Sequence, residues 1–255
     1  MRLKSKVAII TGAGQGLGRE FALAFSREGA KVVIAEINFE NAQKVAKEIE
    51  ASGGGVLAIK TDVTSKHDTE ELARKTVERF GRIDILVNNA GIYHGVQMTP
   101  FTEITEGDWD KMMTVNVKGM WLCCRAVFPQ MKTQGKGKIV NLSSAVFDLG
   151  IPFVLHYVAS KGAVVGLTRA LAKEIGAHGI TVNCINPGYT WTEASKKFGE
   201  SFPPGFLEVV DNVMQVIKRR EQPSDLTGAV VYLASDESDF VTGQSLVIDG
   251  GMAMH

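Results

Sequence analysis

The 255-residue sequence predicts an α/β fold, in which a doubly wound parallel sheet of about seven strands carries helices on both faces. Short apolar runs, typical of strands covered on both faces, alternate with segments of helical periodicity along the whole chain. The first apolar run is followed by a turn rich in glycine and then by an amphipathic helix. We therefore expect a single domain over residues 1–255, built from repeated strand–helix units with right-handed crossovers.

The individual elements follow from the spacing of apolar residues. Uninterrupted apolar runs predict buried strands, whereas apolar positions three and four apart predict helices with one face on the sheet. The predicted strands are 7–10, 31–36, 56–60, 84–89, 138–142, 181–185 and 245–248. The predicted helices begin at residue 19 and then cover 41–52, about 68–80, 108–131, 157–175 and about 225–235.

Residues 191–222 depart from this alternation. The stretch is rich in Gly, Pro and aromatic residues and continues into an amphipathic segment. Long insertions of this kind are more often functional loops than separate domains. The sequence predicts a substrate lid after the sixth strand, and a disordered loop is the alternative.

The composition excludes several classes of protein. The chain carries 28 basic and 28 acidic residues, so nothing indicates a nucleic-acid or membrane-surface partner. No apolar run approaches the roughly 18 residues that span a bilayer, and the first residues lack the apolar core of a signal peptide. Three cysteines and the histidines lack disulfide or metal-ligand spacing, so we expect no metal. We expect a reduced, cytoplasmic protein.

The turn after the first strand has the composition of an anion site. Residues 7–18 read VAIITGAGQGLG. Glycine lets the backbone approach a pyrophosphate closely, and the first amides of the helix point at its negative charge. Arg19 and Glu20 follow, rather than Lys and Ser or Thr, which excludes a Walker phosphate loop. We predict dinucleotide binding, with a plain tight turn as the alternative; the candidate positions are Gly12, Gln15, Gly16, Leu17 and Gly18.

Glu36 ends the second strand, about 20 residues beyond the glycine turn. A carboxylate there accepts hydrogen bonds from the adenosine ribose and repels a 2′-phosphate, and neither Gln15 nor Ile37 supplies a cation for that phosphate. The charge predicts NAD rather than NADP; the alternative is a solvated acid at a strand end. Turns after the third and fourth strands supply further candidate contacts to the adenine and ribose: Asp62, Val63, Asn89, Ala90 and Gly91.

Tyr157 and Lys161 lie four residues apart at the start of a predicted helix, so they share one face. A lysine beside a phenol favours the phenolate and lowers the tyrosine pKa, which makes Tyr157 a candidate general acid/base near neutral pH. Ser144, thirteen residues earlier, is positioned to bond the same substrate oxygen. Asn116 is a polar residue in the middle of a predicted helix. The alternative for the Tyr–Lys pair is an ordinary helix surface.

These residues together resemble the short-chain dehydrogenases/reductases. The TGAGQGLG turn, Glu36, the NNAG segment at 88–91 and the Tyr157–Lys161 pair occur in the order and spacing of that family. The resemblance extends through Asn116, Ser144 and the Pro187–Gly188 dipeptide to the closing segment at 241–251, and so covers essentially the whole chain.

The resemblance implies a Rossmann-type fold and a role for each of these residues. Tyr157 would be the acid/base, Lys161 would bind the nicotinamide ribose, and Ser144 would orient the substrate oxygen. Asn116 would hold a water that links Lys161 to solvent. Pro187 and Gly188 would lie beside the nicotinamide, with Thr192 on its carboxamide; Thr190, where many members carry an apolar β-branched residue, would contact the cofactor through its backbone.

The substrate is less well defined by the sequence. Candidate pocket residues are apolar or aromatic: Tyr93, His94, Val146, Phe147, Ile151, Phe153, Tyr189, Phe198, Phe202 and Phe206. The alternative is that these aromatic residues simply pack the lid. The stretches TEAS and PSDLTGAVVYLASD are similar to NAD-preferring secondary-alcohol dehydrogenases of the 1-phenylethanol dehydrogenase type. We expect a small aromatic or cyclic secondary alcohol or its ketone. The alternatives are a 3-oxoacyl-thioester reductase and a non-catalytic nicotinamide-binding sensor; family resemblance further implies a homotetramer.

Overall fold

One parallel sheet of seven strands organises the protein, as the sequence predicts. The structure, a computed structural model, describes residues 1–93, 96–193, 195–196 and 205–254. The strand order is β3-β2-β1-β4-β5-β6-β7, and every neighbouring pair is parallel. The strands are β1 Val7–Thr11, β2 Lys31–Glu36, β3 Val56–Lys60, β4 Ile85–Asn88, β5 Gly137–Leu142, β6 Ile180–Pro187 and β7 Ser245–Ile248. The order reverses between β1 and β4, which is where such sheets open a crevice at their carboxyl ends.

Helices cover both faces of the sheet. They are α1 Gly16–Arg27, α2 Phe39–Ala51, α3 Lys66–Phe80, α4 Glu106–Met113, α5 Met120–Gln134, α6 Ala145–Leu149, α7 Leu155–Ile175, α8 Phe206–Val209 and α9 Pro223–Ala234. One apolar core joins the sheet to α1, α2 and α9, and a second joins it to α3, α5 and α7. Within the described ranges no helix is both long and apolar enough to cross a membrane.

The long helix predicted over 108–131 changes its hydrogen-bonding pattern in the middle. Its first part, α4, ends at Met113, and a π-helical segment, Thr114–Gly119, connects it to α5. Single-turn π segments within helices are frequent at functional sites, and this one carries Asn116. The predicted long helix is therefore present over residues 106–134, but apolar periodicity does not reveal this change of hydrogen-bonding pattern in its middle.

The two ends of the 191–222 insertion lie side by side. The Trp191 amide donates to the Glu221 carbonyl at 2.8 Å, and the amides of Val216 and Ile217 both donate to the Gly250 carbonyl at 2.9 Å. Between these contacts lie α8 and a second π-helical segment, Val210–Met214. The insertion therefore has a fixed base against the end of β7. Two of its predicted pocket residues, Phe198 and Phe202, lie outside the described residues.

Candidate active site

The carboxyl ends of the strands enclose a cleft of about 470 Å³. Every predicted cofactor residue except Gly18 lines it, as do Ser144 and the Tyr157–Lys161 pair. The cleft runs from the turns after β1, β2 and β3, past the turn after β4, to the segment after β6. The structure thus brings together residues that are up to 180 positions apart in the chain; their binding roles stay predictions.

The glycine turn is packed directly against the turn after β4. Gly12 has a φ of +64°, and a Cβ there would lie 2.8 Å from the Ala90 Cα. The Asn89 side-chain amide donates to the carbonyls of Thr11 and Gly12 at 2.9 and 3.0 Å. A Cβ on Gly18 would lie 2.3 Å from the Gly12 carbonyl oxygen, so Gly18 is needed for this packing and lies behind the cleft wall.

The N-terminus of α1 is suited to an anionic ligand. Gly16 and Leu17, in its first turn, line the cleft. Unlike α2, α3 and α4, whose first turns are capped by Asn38, Ser65 and Thr105, α1 has no side-chain cap and no acidic residue in its first turn. The uncapped amides and the positive end of the helix dipole can bind a pyrophosphate. The cleft therefore fits a dinucleotide.

Glu36 lines the cleft, and its carboxylate is held by the backbone. One oxygen accepts from the Gly14 amide at 3.0 Å and the other from the Asn38 amide at 3.0 Å. The carboxylate therefore orders the glycine turn as well as facing the cleft. Asp62 is similarly fixed, because it accepts from the Thr64 amide and hydroxyl at 2.9 and 2.7 Å. No cation lies among the described lining residues of the turns after β2 and β3.

Ser144, Tyr157 and Lys161 meet at the other end of the cleft. Ser144 caps α6, where its hydroxyl accepts from the Val146 amide at 3.3 Å. Tyr157 is buried near the start of α7, and the Lys161 ammonium lies 5.5 Å from the centre of its ring. That ammonium donates to the Leu142 carbonyl at 2.9 Å. The helix and the end of β5 together position the three side chains.

The pKa values in the structure differ from the expected ones. Burial raises the pKa of Tyr157 to about 12, although a hydrogen bond with Ser144 opposes the rise. Burial also lowers the pKa of Lys161 to about 8. The prediction that Lys161 lowers the pKa of Tyr157 is therefore not met by the protein alone: desolvation outweighs the pairing, and Lys161 bonds a carbonyl instead of the phenol.

Asn116 stands behind the cleft rather than in its wall. Its side-chain oxygen accepts from the Ile92 amide at 2.7 Å, and its amide nitrogen donates to the Ser160 hydroxyl at 3.1 Å. The Ser160 hydroxyl donates in turn to the Tyr157 carbonyl at 2.7 Å. Asn116 thus joins the turn after β4 to the helix of Tyr157. Ser160 has no sequence signal of its own, because it lies inside a helical pattern.

A second cavity of about 80 Å³ adjoins Ser144 and Tyr157. Five of the predicted pocket residues line it, namely Tyr93, Val146, Ile151, Tyr189 and Phe206. Sequence reasoning missed a set of apolar residues that includes three methionines: Met98, Ala145, Leu149, Val154, Val210, Met214 and Met252. None of the described residues in this wall carries a charge.

Two predicted pocket residues are not in this wall. Phe147 packs over Gly162, where a Cβ would lie 2.9 Å from its ring, and the Phe153 side chain is half exposed. Neither residue lines the described cavity, so a substrate contact by these two rings is not supported by the structure. His94 lies outside the described residues, and no cluster of potential metal ligands occurs in the part of the chain that the structure describes.

The chain is similar to several known proteins over its whole length. A family model described as "Enoyl-(Acyl carrier protein) reductase" matches residues 12–253. The 3-oxoacyl-[acyl-carrier-protein] reductase FabG of Thermotoga maritima is 38% identical over 254 residues, covering 100% of both chains. The (2S)-[(R)-hydroxy(phenyl)methyl]succinyl-CoA dehydrogenase subunit BbsD of Thauera aromatica is 37% identical, covering 100% of this chain and 99% of that one.

A solved structure is equally similar. The 7α-hydroxysteroid dehydrogenase complexed with NADH and 7-oxo glycochenodeoxycholic acid superposes with a TM-score of 0.92 at 34% identity, over 100% of this chain and 96% of that one. The chain belongs to the short-chain dehydrogenase/reductase family. It is an oxidoreductase of that family that acts on CH–OH groups and uses a nicotinamide cofactor.

Proposed function

We propose that the protein is an NAD-dependent oxidoreductase that interconverts a small secondary alcohol, aromatic or cyclic, and its ketone. The observation that carries the proposal is the uncharged, apolar cavity that opens beside the hydroxyls of Ser144 and Tyr157. A pocket of this chemistry holds a substrate by burial of apolar surface and offers polar groups only at the reacting oxygen.

Each residue of the site has a defined task in this proposal. The nicotinamide, when bound, accepts the hydride from the alcohol carbon or returns it to the ketone. Tyr157 takes the alcohol proton in oxidation and gives it back in reduction. The Ser144 hydroxyl donates to the substrate oxygen as negative charge develops on it. Lys161, whose ammonium lies 5.5 Å from the centre of the Tyr157 ring, binds the nicotinamide ribose.

NAD is proposed as the cofactor because of the charge at Glu36. Its anchored carboxylate faces the cleft at the end of β2, where a 2′-phosphate would meet repulsion and no described cation. Replacing Glu36 by Gln removes the repulsion while keeping the size of the side chain. We expect the ratio of kcat/KM for NADP to that for NAD to rise about tenfold or more, equivalent to about 1.4 kcal/mol. Glu40→Gln, an exposed carboxylate of the next helix, is the control.

The second candidate is a 3-oxoacyl-thioester reductase. The relatives FabG and BbsD support it, since their names specify an acyl carrier protein and a coenzyme A thioester. The basic triplet at 218–220 gives it little support as a docking surface. Arg219 and Arg220 are paired with Asp225 and Asp211, so most of this charge is neutralised. The sensor alternative has no support, because the chain is an oxidoreductase with its predicted catalytic residues brought together.

Initial rates of NADH formation or consumption would test the proposal and separate these candidates. The panel pairs 1-phenylethanol and acetophenone, and cyclic alcohols and ketones, with 3-oxoacyl thioesters of matched chain length. A higher kcat/KM for the aromatic or cyclic pair is the expected result. Turnover confined to thioesters would replace the first proposal by the second, and a preference for NADPH would contradict the argument from Glu36.

We also propose that the protein works in the cytoplasm as a homotetramer. The sequence-based resemblance supports the assembly, and the composition, with its few unpaired cysteines, supports the compartment.

A further inference from the structure

Glu221 is a buried carboxyl that no step of the proposed reaction uses. It lies at the end of the 191–222 insertion and is only 5% exposed, whereas acidic residues are rarely buried unless they are bonded. One of its oxygens accepts from the Thr190 hydroxyl at 2.6 Å. The other accepts from the Gly188 amide at 3.2 Å. Both partners line the cleft on the segment after β6.

Gly188 packs closely against the carboxyl of Glu221 and against Asp249. A Cβ on Gly188 would lie 2.6 Å from a Glu221 oxygen and 2.9 Å from the Asp249 Cα, so only glycine lets the carboxyl approach the backbone here. The Gly188 amide also donates to the Ile248 carbonyl at 2.9 Å. The segment after β6 is therefore held between β7 and Glu221.

Glu221 is itself held by its neighbours. Its carbonyl accepts from the Trp191 amide at 2.8 Å. The guanidinium of Arg220 lies 4.2 Å from the centre of the Trp191 ring and pairs with Asp211. These contacts fix the backbone of Glu221, and its carboxyl bonds the segment after β6 on the side away from the cleft.

We propose that Glu221 is a positioning residue for the nicotinamide end of the cofactor, acting through Gly188 and Thr190. This inference rests on the proposed function and on the position beside Pro187 and Gly188 that the family resemblance implies for the nicotinamide. The Thr190 hydroxyl supplies one of the two hydrogen bonds that this buried carboxyl accepts. Loss of a hydrogen bond to a charged group is enough to change a binding constant about tenfold or more.

Two ligands distinguish binding in the nicotinamide half of the cleft from binding in the adenosine half. NADH reports on the whole cleft, whereas ADP-ribose lacks the nicotinamide and reports on the adenosine and pyrophosphate half. Each ligand is titrated at pH 8 into four proteins: wild type, Glu221→Ala, Glu221→Gln and Thr190→Val. Fluorescence gives the dissociation constant of NADH, and calorimetry gives that of ADP-ribose. Glu208→Gln, an exposed carboxylate in α8, is the matched control.

We expect Glu221→Ala and Thr190→Val each to weaken NADH about tenfold while ADP-ribose affinity changes less than about threefold. The double variant should be no weaker than Glu221→Ala, because both changes remove the same contact. Glu221→Gln should restore NADH affinity to within about threefold, since an amide can accept from Gly188 and donate to the Thr190 oxygen.

Two results would overturn the inference while leaving the cofactor site intact: unchanged NADH affinity in Glu221→Ala, or equal losses for NADH and ADP-ribose, which indicate a general structural defect. If Glu221→Ala fails to fold, Thr190→Val and Glu221→Gln decide the question by the same comparison. Failure of wild type to bind either ligand is a different outcome, because it would refute the proposed function on which the inference rests.

Discussion

Among single residues, the proposed reaction depends most on Tyr157, whose hydroxyl exchanges the proton with the substrate. Burial holds the pKa of Tyr157 near 12, so alcohol oxidation requires groups that stabilise its phenolate. We expect Tyr157→Phe to lower kcat at least about a hundredfold, consistent with the usual contribution of a general acid/base. NADH affinity should change little. Stopped-flow hydride transfer and a fluorescence titration measure the two quantities.

The pH dependence supplies the control for Tyr157. Oxidation needs the phenolate, so kcat for oxidation should rise with pH in wild type, while the residual rate of Tyr157→Phe loses that rise. Tyr232→Phe, in α9 and outside the cleft, should behave as wild type. A wild-type rate for Tyr157→Phe would contradict the assignment of the acid/base.

Glu221 also makes stability depend on pH. Burial first, and Asp225 and Asp249 in addition, raise the pKa of Glu221 from 4.5 to about 7, against the hydrogen bonds from Thr190 and Gly188. The folded protein therefore binds more protons than the unfolded chain between these values, and this stabilisation is lost as pH rises through 7. We expect Glu221→Gln to gain up to about 3 kcal/mol over wild type between pH 5 and pH 8.

Urea unfolding at pH 5, 6, 7 and 8 measures this difference directly. Glu208→Gln, whose carboxylate is exposed, should show a free energy of unfolding parallel to wild type across the series. A difference between Glu221→Gln and wild type that stays constant with pH would show that Glu221 does not titrate in this range.

At the scale of elements, the sequence predicts the strands and helices, because their apolar residues recur at a regular local spacing. Strands β2, β3 and β7 have the predicted bounds, and the cleft residues follow strand ends, which parallel topology brings to one edge. Glu221 could not be predicted, because its partner Thr190 is 31 positions away and its neighbours are charged or polar, a pattern typical of solvated chain. The π-helical segment of Asn116 was equally hidden within an ordinary helical spacing.

The start of α1 is the element that we propose binds the pyrophosphate of the cofactor. A side chain at Gly18 would collide with the Gly12 carbonyl and the Asn89 amide, at 2.3 and 2.5 Å from its Cβ. We expect Gly18→Ala to cost about 1–3 kcal/mol of stability, as overpacking does, and to weaken NADH binding. Thermal unfolding and the NADH titration measure the two effects.

A second helical glycine serves as the control for Gly18. Gly228 lies within α9 with nothing in reach of an added Cβ. Since alanine is a better helix former than glycine, Gly228→Ala should stabilise the protein by up to about 1 kcal/mol and leave cofactor affinity unchanged. Equal effects at the two glycines would mean that the close approach at Gly18 is not needed.

At the scale of the whole molecule, one edge strand and one helix expose large apolar side chains. Among the described residues, strand β7 pairs with β6 alone and so ends the sheet. Leu246 in β7 is partly exposed, as is Trp121 in α5. Unpaired edges and exposed large apolar side chains favour association with further copies. We expect sedimentation velocity at micromolar concentration to give about four times the 27.6 kDa chain mass.

Substitutions at these surfaces test the predicted tetramer. Leu246→Asp and Trp121→Asp place a charge where an apolar contact is expected, so each should reduce the assembly to dimers while preserving the far-ultraviolet circular dichroism. Phe39→Asp is the control, since this partly exposed residue lies on α2, toward the opposite edge of the sheet from β7. A wild-type monomer would contradict the tetramer outright. An unchanged tetramer in both variants would instead mean that copies meet through surfaces other than β7 and the Trp121 face of α5, because a buried carboxylate without a partner costs several kcal/mol.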